Sequence, residues 1–172
     1  MVKGFGQREG IDFHDIFAPI VKMTSIRIIL SIVAVKGLYL ELLDVNTAFL
    51  HGDLEEEIYM EQPKGFEVKG KENMVCKLKR SLYGLKQAPR QWYLKFDKFM
   101  LDNGFARSNS DHCVYLQKFN DGNYIILTLY VDDMLVAGTC MEKIVSLKMR
   151  LAKSFSMKDL GEAKQLLGMQ IT

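Results

Sequence analysis

Residues 124–138 read Tyr-Ile-Ile-Leu-Thr-Leu-Tyr-Val-Asp-Asp-Met-Leu-Val-Ala-Gly, two adjacent carboxylates between two almost wholly apolar runs of strand length. β-branched and aromatic residues dominate the first run, so the economical fold is a β-hairpin carrying Asp132 and Asp133 at its tip. A buried carboxylate without a partner is costly, so the pair must reach solvent, meet a cation or ligate a metal. An Asp-Asp hairpin turn with no chemistry satisfies the same pattern.

Asp44 has a similar setting far upstream. A strand-like run from Leu38 leads into this carboxylate and then into Val45, Asn46, Thr47, Ala48 and Phe49. If that strand lies beside the hairpin, three carboxylates converge at one end of a sheet. Such a trio can hold two divalent ions about 3.5–4 Å apart, the arrangement used for phosphoryl transfer by polymerases and nucleases. Magnesium suits an all-oxygen donor set. The local alternative for Asp44 is a strand-end residue capping the next turn.

Four long segments, in order, resemble the reverse transcriptase of copia-type retrotransposons over nearly the whole chain. Phe17-Ala-Pro-Ile-Val-Lys-Met-Thr-Ser-Ile-Arg27 looks like that family's entry into the palm. Asp44-Val-Asn-Thr-Ala-Phe-Leu-His-Gly-Asp-Leu54, followed by Ile58-Tyr-Met-Glu-Gln-Pro-Lys-Gly-Phe66, is similar to its first catalytic motif. Ser81-Leu-Tyr-Gly-Leu-Lys-Gln-Ala-Pro-Arg-Gln-Trp-Tyr93 resembles the second, and Tyr130-Val-Asp-Asp133 the third. Leu167-Gly-Met-Gln-Ile171 resembles the strand that grips the primer end.

The resemblance implies an α+β right-hand polymerase palm, an antiparallel sheet packed on helices, with partial fingers and the thumb absent. Residues 1–38 and about 53–90 would be fingers-like, and 39–52 and 91–172 mainly palm. Asp44, Asp132 and Asp133 would be catalytic, binding two Mg2+ ions for which Mn2+ can substitute. The reaction would transfer a nucleotide from dNTP to a primer 3′-hydroxyl on an RNA or DNA template. The backbone at Val45, Asn46, Thr47 and Ala48 would meet the triphosphate as a helix N-terminus does. Phe49 would be a steric gate against the ribose 2′-hydroxyl, the alternative being a plain core phenylalanine. Tyr83, Gly84 and Lys86 would face the nucleotide, with Arg90 on phosphate; the alternative is an ordinary surface loop. Tyr130, Gly168 and Met169 would hold the primer end. Trp92 reads as packing.

Composition is that of one globular domain, 48% hydrophobic and 26% charged. Neither a membrane span nor a leader is expected. Cys76, Cys113 and Cys140 are scattered and odd in number, which suggests reduced thiols in an intracellular protein. By resemblance the location is cytoplasmic, in a virus-like particle, or nuclear. A net charge of +2 hides a segregated pattern. Tyr39–Glu61 carries seven acids and no lysine or arginine, whereas Gln62–Met100 carries ten basic residues and three acids. The basic block is suited to tracking a phosphate backbone.

Local signals place a helix from Thr24 or Ser25 to Val35 and a strand at Tyr39–Asp44. A helical turn is expected near Thr47, with strands at Ile58–Glu61 and Val75–Leu78. A long helix from Pro89 to Leu101 follows, then a hairpin of 113–119 with 124–130 and a surface helix over 141–155. A strand is expected at Lys164–Thr172. The expected entity is a fragment lacking a basic fingers strand, thumb and ribonuclease H region of its polyprotein, weak or inactive alone. Two other readings stay open: a non-catalytic nucleic-acid-binding remnant, and another palm enzyme such as a nucleotide cyclase. Ser81–Pro89 and the primer-gripping segment argue against the cyclase.

Overall fold

The structure, a computed structural model, describes residues 2–171. The mixed α+β expectation holds: among the described residues three α-helices accompany a six-stranded antiparallel sheet and two small hairpins. Contacts group the residues into two compact units, each assembled from separated stretches of chain. One comprises residues up to Ala18 together with Phe49–Lys95, the other Pro19–Ala48 and the residues from Phe96 onward.

The second unit holds the sheet. Its strands are β1 (Tyr39–Val45), β4 (Ala106–Arg107), β5 (Val114–Lys118), β6 (Tyr124–Tyr130), β7 (Asp133–Gly138) and β8 (Met157–Glu162), in the order β4-β5-β6-β7-β1-β8. From Met134 to Gly138 every residue of β7 is buried, as befits a strand covered on both faces. Helix α3 (Met141–Ser154) buries Ile144, Leu147 and Leu151 completely. Their spacing makes one stripe, and its burial contributes about 5–9 kcal/mol before entropy is counted.

Helix α1 (Met23–Lys36) ends as expected at Gly37, whose left-handed φ of 62° a side chain would resist. Its start corrects the sequence reading, because neither Thr24 nor Ser25 caps it. Lys22 occupies the N-cap position without a side-chain cap. Asp111, from a distant loop, instead accepts hydrogen bonds from Lys22 N (2.8 Å) and Ser25 Oγ (2.6 Å).

The first unit contains the hairpin of β2 (Tyr59–Glu61) and β3 (Val75–Lys77) and a small apolar cluster of Ile58, Leu85 and Ala88. Helix α2 (Ala88–Asp102) begins here and continues into the second unit. Trp92 is buried, as its packing reading requires.

The last strand expectation is corrected. Residues 164–171 form a tight hairpin of β9 (Gln165–Leu166) and β10 (Met169–Gln170) rather than one strand. Leu167 and Gly168 both have positive φ, which turns the chain back between them. The expected end at Thr172 lies outside the described residues.

Candidate active site

Register builds the carboxylate end of the sheet. In the β1–β7 pairing Asp44 faces Asp133, and in the β6–β7 pairing Tyr130 faces Asp133. Val131 and Asp132 make the two-residue turn, and Val45 N donates to the Asp132 carbonyl at 2.9 Å. The hairpin tip therefore carries Asp132 alone, while Asp133 opens β7. Val131 has φ 57°, a left-handed conformation unusual for a β-branched residue. Of the two turn residues only the first has a positive φ.

Directly opposed residues of an antiparallel pair share a face, so Asp44 and Asp133 are like charges side by side. The Asp133 carboxyl is pushed above its ordinary range, first by burial and then by the charges of Asp132 and Asp44. Asp133 thus feels both of the neighbouring carboxylates. Among the described residues, no three His, Cys, Asp or Glu side chains converge closely enough to ligate an ion as they stand.

Sequence reasoning missed Lys158. In the β1–β8 pairing it lies opposite Asp44, placing a cation on the carboxylate face. The register shifts between Leu42 and Leu43, so that Leu43 pairs with Asp159 and Leu42 with Gly161. This bulge decides that Lys158, not Asp159, shares the face of Asp44. Asp159 instead pairs with Lys148 (2.9 Å), which also pairs with the buried Glu41 (2.5 Å). Every residue of β8 is exposed or half-exposed, so no local alternation marks it as a strand.

The expected phosphate-binding helix start is a four-residue 3-10 turn, Ala48–His51. Val45 N is committed to Asp132, and Asn46 N donates to the Ser156 carbonyl at 2.8 Å. Two of the four expected amides are thus already used; Thr47, with φ 53°, turns the chain between them and Ala48.

Phe49 and the candidates of the second motif lie in the first unit. Phe49 is partly buried against the Ile58 cluster, its ring 4.6 Å from that of Tyr83. Gly84 has φ 102°, and its carbonyl abuts Gly4, where a Cβ would lie only 1.8 Å from the oxygen. Lys86 sits over the Phe13 ring at 4.7 Å. Arg90 donates to the Phe17 carbonyl (3.1 Å) and pairs with Asp15 (3.0 Å). Both cations are therefore engaged with the N-terminal segment. Gly168 and Met169 occupy the β9–β10 hairpin in the second unit.

A family model described as reverse transcriptase (RNA-dependent DNA polymerase) matches residues 1–172. The chain belongs to the reverse transcriptase family. Within it, the chain is 64% identical over 171 residues to a retrovirus-related Pol polyprotein from transposon TNT 1-94 of Nicotiana tabacum, covering 99% of this chain and 13% of that protein. It is 39% identical over 170 residues to the Pol polyprotein from transposon RE1 of Arabidopsis thaliana, covering 99% and 12%. A putative transposon Ty5-1 protein of Saccharomyces cerevisiae is 39% identical over 129 residues, covering 75% and 42%. This reverse transcriptase segment thus spans about an eighth of the plant polyproteins, and its copia-type character follows from them. No solved structure matches it. Among the described residues no helix is long and apolar enough to cross a membrane.

Proposed function

We propose that the sheet end bearing Asp44, Asp132 and Asp133 is the nucleotidyl-transfer centre of an RNA-directed DNA polymerase, built on a palm with fingers-like additions. The observation that carries this reading is the Asp44–Asp133 register with Asp132 in the adjoining turn, in a chain of the reverse transcriptase family. All the donors are oxygens, which suits hard divalent cations, and burial first, then the charges of Asp132 and Asp44, raises the proton affinity of Asp133. Magnesium, or manganese in its place, supplies charge neutralisation at the transferring phosphoryl group when bound there.

The chain's own part is positioning. The β1–β7 ladder holds Asp44 and Asp133 side by side, and the Val45–Asp132 hydrogen bond keeps the turn against β1. Lys158 adds positive charge on the same face, suited to an incoming triphosphate. Phe49 would select the sugar, Tyr83 and Gly84 would face the nucleotide, and Tyr130 with Gly168 and Met169 would hold the primer. Lys86 and Arg90 would exchange their present partners for phosphate. The partners are a template–primer duplex, dNTP and the rest of the polyprotein, met in a cytoplasmic particle or the nucleus.

The engaged Val45 and Asn46 amides favour a second reading, a remnant that binds nucleic acid without catalysis. Single-nucleotide extension of a DNA primer on an RNA template, with magnesium or manganese, separates the two. Weak extension by the parent and its loss in Asp132→Asn, with folding intact, is the expected outcome. Equal extension by both proteins would remove the carboxylate mechanism. No extension, with duplex still bound, would favour the remnant.

A further inference from the structure

The residues 62–74 that join β2 to β3 are an ordered loop built around one side chain. Gln62 Nε2 donates to the carbonyls of Lys71 (2.7 Å) and Met74 (3.0 Å), and its Oε1 accepts from Val68 N (2.9 Å). Backbone hydrogen bonds from Phe66 N to Pro63 O, Lys71 N to Val68 O and Met74 N to Lys71 O tighten it further. A compact loop closed by its own side chain presents its outward groups with little further ordering to do.

The charges of this loop divide by sign. Glu67 accepts from Gly65 N and Glu72 from Gly70 N, both at 2.7 Å, so each carboxylate is turned back onto the loop's own backbone. Lys64, Lys69 and Lys71 are exposed, and among the described residues none of their ammonium groups pairs with a carboxylate. Between them stands Phe66, 79% exposed, an aromatic ring that the fold does not use for its core. A solvent-facing ring among unpaired cations, on a prearranged loop, is the combination that binds single-stranded nucleic acid: a π face for a base and charge for the phosphates.

We propose that the 62–74 loop is a binding site for single-stranded RNA or DNA, with one base stacked on Phe66 and the flanking phosphates met by Lys64, Lys69 and Lys71. It rests on the nucleic-acid reading of the chain and assigns that reading a surface within the first unit. A protein segment docking on Phe66 is the competing occupant, and the choice of variants separates the two.

The experiment measures binding of a labelled oligouridylate about 12 nucleotides long by fluorescence anisotropy across a salt series, with a primer–template duplex as reference. Phe66→Ala should weaken oligouridylate binding about ten-fold while leaving its salt dependence unchanged. The triple change Lys64→Ala, Lys69→Ala, Lys71→Ala should instead flatten the dependence of log K on log salt by about 2. Phe66→Trp should bind at least as tightly as the parent, and Phe66→Leu should behave like Phe66→Ala. If Phe66→Leu binds like the parent, the ring is an apolar contact and stacking is overturned. If the parent binds duplex and oligouridylate while the Phe66 and lysine variants match it, the loop assignment alone fails. If the parent binds neither, the nucleic-acid reading fails and this site fails with it.

Discussion

Asp133 concentrates the tension of the carboxylate site. It opens β7 opposite Asp44 and beside Asp132, and its carboxyl is raised by burial and by those two charges. An acid whose pKa is higher when folded stabilises the fold below its unfolded pKa and loses that contribution as pH rises through the folded value. Without metal, Asp133→Asn should therefore be more stable than the parent at pH 7, and the difference should shrink toward pH 4. Opposed like charges in a sheet cost about 0.2–1 kcal/mol, and solvent screening of half-exposed groups favours the lower end. Melting followed by circular dichroism in EDTA should show the variant higher by about 1–2 °C. Magnesium should reverse the order, because the parent gains by binding the ion. If the variant melts below the parent in EDTA at pH 7, burial and the neighbouring charges do not destabilise the Asp133 carboxylate.

At the level of elements, the Glu41–Lys148–Asp159 group ties α3 to β1 and β8 next to the bulge that orients Lys158. Burial alone would lower the Lys148 pKa, but hydrogen bonds to Glu41 and Asp159 outweigh it and raise it. Lys148→Met would leave Glu41 buried and unpaired, at a cost of about 3 kcal/mol read from the urea midpoint. Adding Glu41→Gln should recover most of that loss; if the double variant is as weak as the single, the damage lies in packing rather than charge. The same elements mark the limit of sequence reading. Strands β1, β6 and β7 were legible as apolar runs of strand length, helix α2 from Pro89 at its start and helix α3 from its apolar stripe, and the Asp44, Asp132 and Asp133 grouping followed from strand ends. Strand β8 was not, because its residues face solvent and its place depends on a bulge and an ion pair with α3. The start of α1 was misread because its cap is supplied by Asp111, nearly ninety residues along the chain. The commitments of Lys86, Arg90 and the Val45 and Asn46 amides are tertiary facts of the same kind.

Across the whole molecule, both compact units are discontinuous in sequence, so the integrity of each depends on segments far apart in the chain. The N-terminal residues show what this implies for the second-motif loop. Gln87 is fully buried; it donates to the Asp12 carbonyl (2.8 Å) and Glu56 (3.2 Å) and accepts from Gln7 (2.9 Å). Gln7 Oε1 in turn accepts from Lys86 N (2.8 Å), and Val2 N donates to the Tyr83 carbonyl (2.9 Å). Deleting residues 2–18 would leave the Gln87 amide without two of its three partners, and each buried polar group so stranded costs about 1–3 kcal/mol. It would also remove the carbonyl and carboxylate that hold Arg90. The ladder of β1, β6 and β7 uses no residue of that segment. Hydrogen exchange followed by mass spectrometry should therefore show amides of 81–95 exchanging far faster in the truncated chain, while 39–45 and 124–138 keep their protection. Loss of protection in both regions would mean that the sheet does not hold together without the N-terminal segment. Unchanged protection at 81–95 would mean that the loop is set by its own sequence, with Gln7 and Asp12 merely resting against it.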